Sequence, residues 1–223
     1  SLSKTNVMKL FSLKNLFLLL CCAAPFVYLN SIFDSLPDQV AMHFGSDMKP
    51  NRFGDKSNLW STVSIMMGIG VVAYLIITNV GKLDPKNQSL QSQGIMEKLG
   101  ITSIVFISLL TIYIIYTAVQ GESGNLLFVL LGGFFAIIGN FLYSIKPNYF
   151  VGFRLPWTLE NQNNWRKTHQ LGGKIWVAGG MLAIILSFIV PEVYMMKLFI
   201  AIVLLMVLIP TFNSYTYHKA GNQ

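Results

Sequence analysis

Charged residues are scarce in this chain of 223 residues. Asp, Glu, Lys and Arg make up 11% of it, and 53% of the residues are hydrophobic. A soluble domain usually carries roughly a quarter charged residues, and a soluble protein as apolar as this one would expose large adhesive patches. The composition therefore excludes an ordinary soluble domain and predicts an integral membrane protein.

Acidic residues are rarer than basic ones, and the net charge is +7. Lys and Arg collect in the cytoplasmic loops of membrane proteins, so this excess does not indicate nucleic-acid binding, and we expect none. The long apolar runs contain no Asp, Glu, Arg or His, if Lys174 and Lys197 are taken as interfacial. Ion-coupled transporters generally place ionisable residues near mid-bilayer, so the sequence argues against a proton-driven pump.

Metal-binding and catalytic patterns are also missing from the sequence. The two cysteines, Cys21 and Cys22, are neighbours in an apolar run, where a disulfide between them would be strained. His43 lies near several aspartates, but scattered acids in one loop are a weak pattern for a metal ion. The sequence contains no metalloprotease motif and no nucleophile elbow. We expect no cofactor, no metal ion and no enzymatic activity.

Six apolar runs organise the chain. They cover residues 15–33, 60–80, 99–120, 125–145, 172–190 and 193–213. Each is about 19–22 residues long, enough to cross a hydrocarbon core of about 30 Å as a helix. The first run could also belong to a signal peptide, but it continues well past Ala24, and we interpret it as a transmembrane helix. The sequence thus predicts an all-α integral membrane protein with six transmembrane helices.

The basic residues predict the orientation of these helices. Lys and Arg are concentrated in the N-terminal segment, in the loop after the second run and in the polar segment 146–172. The positive-inside rule therefore places both termini and a structured loop 146–172 in the cytoplasm. Segment 34–58 then faces outside, and apolar residues such as Val40 and Phe53 predict that it is a folded loop. In this topology His43 lies outside, opposite His169 and His218.

Small residues recur at helical spacing on the two runs that flank the cytoplasmic loop. The stripes are Gly132, Ala136 and Asn140 on the fourth run and Gly179, Ala183 and Ser187 on the fifth. Small residues four apart allow helix backbones to approach closely. We expect these helices to pack on each other or on common neighbours, although glycine is also simply common in membrane helices.

The segment from 146 to 173, here called the signature segment, combines tryptophans with basic residues. We expect a cytoplasmic helix to start at Thr158, with Glu160 in its first turn. Spacing then places Trp165, Thr168, His169 and Gly172 on one face, along the headgroup layer. This segment is either an anchor among lipid headgroups or a working surface. Arg154, between Phe153 and Leu155, should have a carbonyl, phosphate or carboxylate partner.

The signature segment resembles that of the SdpI family, bacterial membrane proteins named for immunity to a sporulation-delaying toxin. The resemblance covers Gly139 and Asn140, then K-P-N-Y-F-V-G-F-R-L-P-W-T-L at 146–159, then W-R-K-T-H-Q-L-G-G at 165–173. The functional positions that it implies are Asn140, Pro147, Asn148, Gly152, Arg154, Pro156, Trp157, Thr158, Trp165, Thr168 and His169.

The outer loop separately resembles the short extracytoplasmic domain of unknown function that often precedes this core. The matching residues are Pro37, His43, Phe44, Asn51, Phe53 and Lys56. The two resemblances divide the chain into an N-terminal part, residues 1–98, and an SdpI-like core, residues 99–223.

Family resemblance implies a multi-pass protein of the bacterial cytoplasmic membrane that gives immunity to a secreted, membrane-active peptide toxin. It implies membrane lipids, a peptide toxin and a cytoplasmic repressor or other regulator as partners. One alternative is a transporter or lipid-binding protein, which should have a cavity that reaches the bilayer. Another is a membrane-face enzyme, in which Asn148, Arg154 and His169 should converge on one pocket.

Overall fold

The computed structural model describes residues 12–83, 92–122 and 124–221, and these residues form seven helices and one two-stranded sheet. The helices are α1 (Leu13–Ile32), α2 (Asn58–Leu83), α3 (Gln93–Gln120), α4 (Leu126–Leu142), α5 (Pro156–Glu160), α6 (Gln162–Ser187) and α7 (Glu192–Gly221). A short 3-10 turn, Phe33–Ser35, follows α1 and leads into strands β1 (Gln39–Phe44) and β2 (Pro50–Asp55).

Five of these helices, α1, α2, α3, α6 and α7, are long and apolar enough to cross a membrane. The remaining apolar helix, α4, has 17 residues, which is about 25 Å of helix. Large apolar side chains are exposed on the helices, for example Leu19, Ile69 and Leu204. Such a surface suits lipid rather than water, so the protein is a multi-pass membrane protein. Of the six predicted spans, α4 is the one that is shorter than expected.

The two ends of the helix bundle carry different structures. At one end the turn before α4 meets the turn before α7, because the Asn125 side-chain amide donates hydrogen bonds to Ser187 O at 3.0 Å and Val190 O at 2.9 Å. At the other end the Lys146 backbone N–H donates to Ser92 Oγ at 3.0 Å. The β1–β2 hairpin lies at the first end, and the signature segment lies at the second. We call them the hairpin end and the signature end.

The hairpin makes the prediction of an all-α fold incomplete. β1 and β2 pair antiparallel between Gln39 and Asp55, with irregular register around His43. Lys56 holds the base of the hairpin, because its Nζ donates to Leu36 O at 3.1 Å and lies 3.3 Å from Asp38 Oδ1. The predicted folded loop at 34–58 is thus a short strand pair. Burial does not alternate along β1, since the neighbours Val40 and Ala41 are both buried, so no period-2 pattern marked the strand in the sequence.

The hairpin reaches across the end of the bundle. Val40 in β1 is buried in a cluster with Leu29 of α1 and Val63 of α2. Met48, at the opposite tip of the hairpin, is 4% exposed and belongs to a second cluster with Phe128 of α4 and Met195 of α7. Because its two ends are anchored in different clusters, the hairpin forms a cover over the helices.

Helices α1 and α7 each contain a proline, which leaves one backbone carbonyl without its helical donor. In both cases a side chain of a neighbouring helix donates the missing hydrogen bond. Pro25 in α1 has no N–H to give to Cys21 O, four residues earlier. The Ser108 hydroxyl of α3 donates to that carbonyl at 2.7 Å. A carbonyl without a partner is costly in an apolar environment, so this bond lets α1 continue through Pro25.

Pro210 in α7 repeats the arrangement. Its ring leaves Met206 O without the usual helical donor, and the indole N–H of Trp176 in α6 donates to this oxygen at 3.0 Å. This hydrogen bond of Trp176 fastens α6 and α7 together.

Helices α4 and α6 touch through their backbones. A Cβ added at Gly132 would lie 2.6 Å from Gly180 O, and one added at Gly139 would lie 2.8 Å from Gly173 O. The prediction that the two flanking helices pack on each other is therefore confirmed. Its details were partly wrong: Asn140 is exposed, and Gly179 faces Met206 of α7. The contact residues on α6 are Gly173, Gly180 and Ala183.

The predicted helix starting at Thr158 is different in the structure. Residues 156–160 form the separate helix α5, and α6 begins at Gln162. Asn161 caps α6, because its Oδ1 accepts the backbone N–H groups of Asn163 at 2.9 Å and Asn164 at 3.0 Å. α6 then runs unbroken into the predicted fifth span. The helix that continues into the span is therefore capped by Asn161 and not by Thr158.

Gly132→Ala should lower the stability of the protein by about 1–3 kcal/mol, because its new methyl group would overlap the Gly180 carbonyl and force α4 away from α6. Gly133→Ala is the matched control, since a Cβ at Gly133 meets nothing within 4 Å. That control should be neutral or slightly stabilising. Thermal unfolding of both variants in the same detergent checks the prediction, and equal melting temperatures would contradict a close α4–α6 contact.

Candidate functional site

Asn148 closes the first turn of the signature segment from inside. Its side chain is fully buried, and its Oδ1 accepts the backbone N–H groups of Phe150 at 2.9 Å and Val151 at 2.8 Å. Its amide donates back to Lys146 O at 2.9 Å. An asparagine that bonds its own following backbone in this way stabilises a turn. Asn148 therefore shapes the segment, and its polar atoms are already used.

His169 holds the middle of the segment against α6. Its Nε2 accepts the Phe153 backbone N–H at 2.9 Å, and its Nδ1 lies 2.8 Å from Trp165 O. Because the Phe153 N–H can only donate, Nε2 must be the unprotonated nitrogen and Nδ1 carries the proton. The ring is 1% exposed and stacks on Trp165, with centroids 3.9 Å apart. His169 is thus a neutral bridge between the segment and the helix.

Gly152 is required by the position of His169. Its φ is +109°, a conformation that side chains rarely adopt. A Cβ on Gly152 would overlap Nε2 of His169. The chain passes so close to the imidazole that only glycine fits, which explains why this residue stands in the signature.

Thr158 closes the second turn of the segment. Its hydroxyl accepts the Leu155 backbone N–H at 2.9 Å and lies 2.7 Å from Phe153 O. The side chain is fully buried. It therefore fixes the first turn of α5 rather than starting a long helix.

A chain of polar side chains joins α5, α6 and α7. Trp157 Nε1 donates to Ser214 Oγ at 2.8 Å, and Ser214 Oγ donates to Asn164 Oδ1 at 2.9 Å. The Thr168 hydroxyl donates to the same Oδ1 at 2.9 Å, and the Asn164 amide donates to Ser214 O at 3.0 Å. Fully paired buried networks of this kind rigidify a core. Here the network connects the signature to the last helix.

Trp165 connects α6 to the turn that follows α4. It is 1% exposed, and its indole N–H donates to Ile145 O at 2.9 Å. Together with Thr168, His169 and Gly172, it is buried. The predicted shared face of these four residues is therefore confirmed, and it packs inside the bundle rather than facing lipid.

Other signature positions are accessible. Arg154 is exposed and donates from Nη1 to Tyr149 O at 2.7 Å, so its partner is a carbonyl, one of the three kinds predicted. Pro156 is exposed, and Pro147 and Trp157 are half-buried. Trp157 stacks on His218, with centroids 5.5 Å apart. These residues form the part of the signature that another molecule can reach.

The convergence that a membrane-face enzyme would need is not observed among Asn148, Arg154 and His169. Asn148 and His169 are buried with their polar atoms bonded to backbone groups, whereas Arg154 is exposed and bonded to Tyr149 O. Each side chain serves a different part of the loop. The geometry gives a scaffold rather than a set of side chains around one reacting atom.

The outer-loop motif lies on the hairpin and at its base. His43 Nδ1 lies 2.7 Å from Asn51 Oδ1, a cross-strand contact between two exposed side chains. Phe53 is 57% exposed, and Phe44 is half-buried. Pro37 is exposed at the entry to β1, and Lys56 fastens the base. These contacts explain the motif as hairpin structure, with Phe53 left accessible.

Beneath the hairpin lies an apolar chamber of about 440 Å³. Its walls come from the hairpin and from α2, α3, α4 and α7, including Phe44, Leu110, Leu127 and Met196. A few polar groups face it, among them Thr62. Ligand sites in proteins have this size range and this mostly apolar lining with a few polar groups. We call it the hairpin chamber.

Sequence reasoning missed Asn164, Ser214 and Asn125. Each lies in a polar or mixed stretch where nothing in a single sequence distinguishes a network residue from a surface one. One signal was present for Asn164, which lies one residue before Trp165 and four before Thr168, on the same side of a helix. Ser214 could not be found in this way, because its partners lie 50 or more residues away.

Gly152→Ala should loosen the signature segment, because a methyl group there would push His169 away from the Phe153 N–H. Gly121→Ala is the matched control: it also has positive φ, at +70°, but nothing within 4 Å of the added Cβ. We expect Gly152→Ala to cost about 1–3 kcal/mol more than the control. The loosening of the segment is measured as the rate of trypsin cleavage after the exposed Arg154, which should be higher in Gly152→Ala than in Gly121→Ala. Equal cleavage rates in both variants would contradict the His169 bridge.

Two family models and one curated protein match the sequence of this chain. Residues 144–214 match the family model described as the SdpI/YfhL protein family, and residues 20–75 match a domain of unknown function (DUF1648). The chain is 28% identical over 211 residues to the Immunity protein SdpI of Bacillus subtilis (strain 168), covering 94% of this chain and 98% of that one. No solved structure gives a significant match. The resemblance found in the sequence is confirmed: the chain carries an SdpI/YfhL family segment at residues 144–214, preceded by the DUF1648 segment at residues 20–75.

Proposed function

We propose that the protein is a membrane immunity protein that protects its cell against a secreted, membrane-active peptide toxin. The observation that carries this function is the likeness to the Immunity protein SdpI, which extends over nearly the full length of both chains. Immunity by binding needs no reacting groups. It fits a protein whose buried signature side chains are engaged in structural hydrogen bonds.

We propose that the protein crosses the bacterial cytoplasmic membrane six times, with both termini inside. The distribution of Lys and Arg supports this orientation. The hairpin end then faces outside, and the signature end faces the cytoplasm. With 17 residues, α4 serves as the fourth of these six spans, because a bilayer can thin locally around a short helix. The two parts of the chain, residues 1–98 and 99–223, pack into one helix bundle, because Ser108 of the second part donates a hydrogen bond to Cys21 O of the first.

The hairpin chamber is the proposed contact site for the toxin. It lies at the end that we assign to the outside, where a secreted peptide arrives. Its walls are mostly apolar and include the half-buried Phe44, and apolar side chains of a membrane-active peptide would gain free energy by leaving water for it. Phe53, exposed on β2, offers a second apolar contact beside the chamber.

Communication with a cytoplasmic regulator is the second part of the proposal. At the signature end, Arg154 and the stacked pair Trp157 and His218 are accessible. Trp157 is hydrogen-bonded through Ser214 to Asn164. Because Ser214 belongs to α7, a movement of α7 caused by toxin binding at the hairpin end would shift Trp157. That shift could change how a regulator binds at the signature end.

Lipid binding or transport is an alternative favoured by one observation. An apolar groove of about 300 Å³ runs along α1, α3 and α4, with Phe17, Phe106 and Phe134 in its walls. Such a groove could hold an acyl chain from the bilayer. If expression of the protein changes no toxin's killing but transfers labelled lipid between vesicles, this alternative replaces immunity.

Phe44→Asp should reduce protection by at least about tenfold, since a charge in the apolar chamber must be desolvated when a peptide binds. Survival of a sensitive strain expressing each variant and challenged with the cognate peptide measures the effect. Ser46→Asp adds the same charge at the exposed hairpin turn and should protect like the parent. Thr62→Trp, which fills the chamber without a charge, should also fail to protect.

Two results would count against these proposals. If the parent protein protects but the two chamber variants protect equally well at equal membrane levels, the toxin binds elsewhere. If the parent protein itself changes no killing across the available peptide toxins, immunity is the wrong function.

Ser46→Cys should react with a membrane-impermeant maleimide added to intact cells, whereas Asn163→Cys should react only after the cells are opened. Both positions are exposed, at the hairpin end and the signature end respectively. Cys21 and Cys22 are first replaced by alanine so that only the introduced thiol is labelled. Labelling of Asn163→Cys but not Ser46→Cys in intact cells would invert the proposed orientation.

A further inference from the structure

A second cavity lies at the signature end of the bundle. It is a cleft of about 360 Å³ between the residues that follow α4 and the first turns of α6. Unlike the hairpin chamber, it is lined by polar and basic side chains, including Lys146, Arg166, Gln162 and Gln170. We call it the basic cleft. The hydrogen bonds that hold the signature segment together do not use these four side chains.

The charge of the basic cleft is positive, and no carboxylate among the residues that the structure describes is paired with it. Lys146 and Arg166 both line it and both are exposed, and no Asp or Glu is among its lining residues. Within residues 12–83, 92–122 and 124–221, the ion pairs are Lys14 with Glu97 and Lys56 with Asp38. Neither basic residue of the cleft is therefore neutralised by a carboxylate in this part of the chain.

The neighbouring polar groups suit an anion with several oxygens. Gln162, Asn163 and Gln170 line the cleft, and each carries an amide that can donate hydrogen bonds. Arg166 presents a planar fork that matches phosphate oxygens, and Lys146 adds a compact charge. A group with two or more acceptor oxygens and negative charge would satisfy both sides of the cleft at once.

The depth of the cleft points to the membrane surface. Helix α4 ends at Leu142, and the lining of the cleft begins at the next residue, Tyr143. On α6 the lining residues end at Gln170, just before the apolar run at 172–190 begins. The cleft therefore lies where both helices change from apolar to polar, which is the level of the lipid headgroups. Basic pockets between helices at this level bind anionic headgroups.

We propose that the basic cleft is a binding site for a phosphate-bearing anion, with the headgroup of an anionic phospholipid as its occupant. Lys146 and Arg166 hold the phosphate, and the glutamine and asparagine amides hydrogen-bond its remaining oxygens and the glycerol hydroxyls. The bound headgroup ties the end of α4 to the start of α6, on either side of the signature segment. This site is independent of the toxin and of the orientation of the protein.

The test uses the full-length protein in a neutral detergent, with bound lipid counted by native mass spectrometry. Phosphatidylglycerol, phosphatidylcholine and soluble glycerol phosphate are titrated separately. The double variant Lys146→Gln/Arg166→Gln should bind phosphatidylglycerol about thirtyfold more weakly, because each basic residue near an anionic lipid contributes about a fivefold factor. Lys167→Gln/Lys174→Gln removes the same charge from exposed positions outside the cleft and should stay within about twofold of the parent.

Each outcome decides the proposal. Preference for phosphatidylglycerol over phosphatidylcholine, lost only in the cleft variant, supports the headgroup site. If glycerol phosphate at an equal concentration displaces the lipid, and its binding is also lost in the cleft variant, the cleft is a phosphate site whose occupant is a soluble anion. Equal losses in the two double variants, or no loss in either, would overturn the proposal, because binding would then follow net charge or ignore the cleft.

Discussion

Direct backbone contact between α4 and α6 is the constraint on which the rest of the signature end depends. At Gly132 and Gly139 the space of a side chain is taken by carbonyl groups of the facing helix. Because the two helices are held this close, the residues that join them must fold back within a short distance. The turns at Asn148 and Thr158, the glycine under His169 and the anchoring of Trp165 to Ile145 O are the solution to that geometry.

Within the bundle, polar side chains act where the helical backbone cannot satisfy itself. Ser108 and Trp176 each donate to a carbonyl that an intrahelical proline has left open. Asn125 donates to the carbonyl of Ser187, the last residue of α6, and His169 accepts an N–H from the signature segment. In the membrane interior no water is available to hydrogen-bond these backbone groups. The intramembrane polar residues of this protein are therefore better understood as backbone partners than as a pathway for ions.

Sequence patterns predicted the membrane class, the main apolar helices, the close packing of the two helices around the signature and the shared helix face of Trp165, Thr168 and His169, but not the burial of that face. They did not predict the hairpin strands, because β1 and β2 are six residues each and interrupted by an irregular register. The start of α6 at Gln162 was also missed, since Thr158 and Asn161 are both plausible caps and only the tertiary bonds of Thr158 separate them. Long-range partners such as Ser214 with Trp157 and Asn164 leave no periodic trace in one sequence.

The anchoring of Met48 has a consequence for how the molecule is assembled. Its burial cluster contains Phe128 and Met195, which are synthesised long after the hairpin itself. During translation the hairpin is therefore delivered early, with its base on α1 and α2 but its tip unsupported. The tip acquires its packing only when α7 has been inserted, so closure of the hairpin must follow the insertion of that helix.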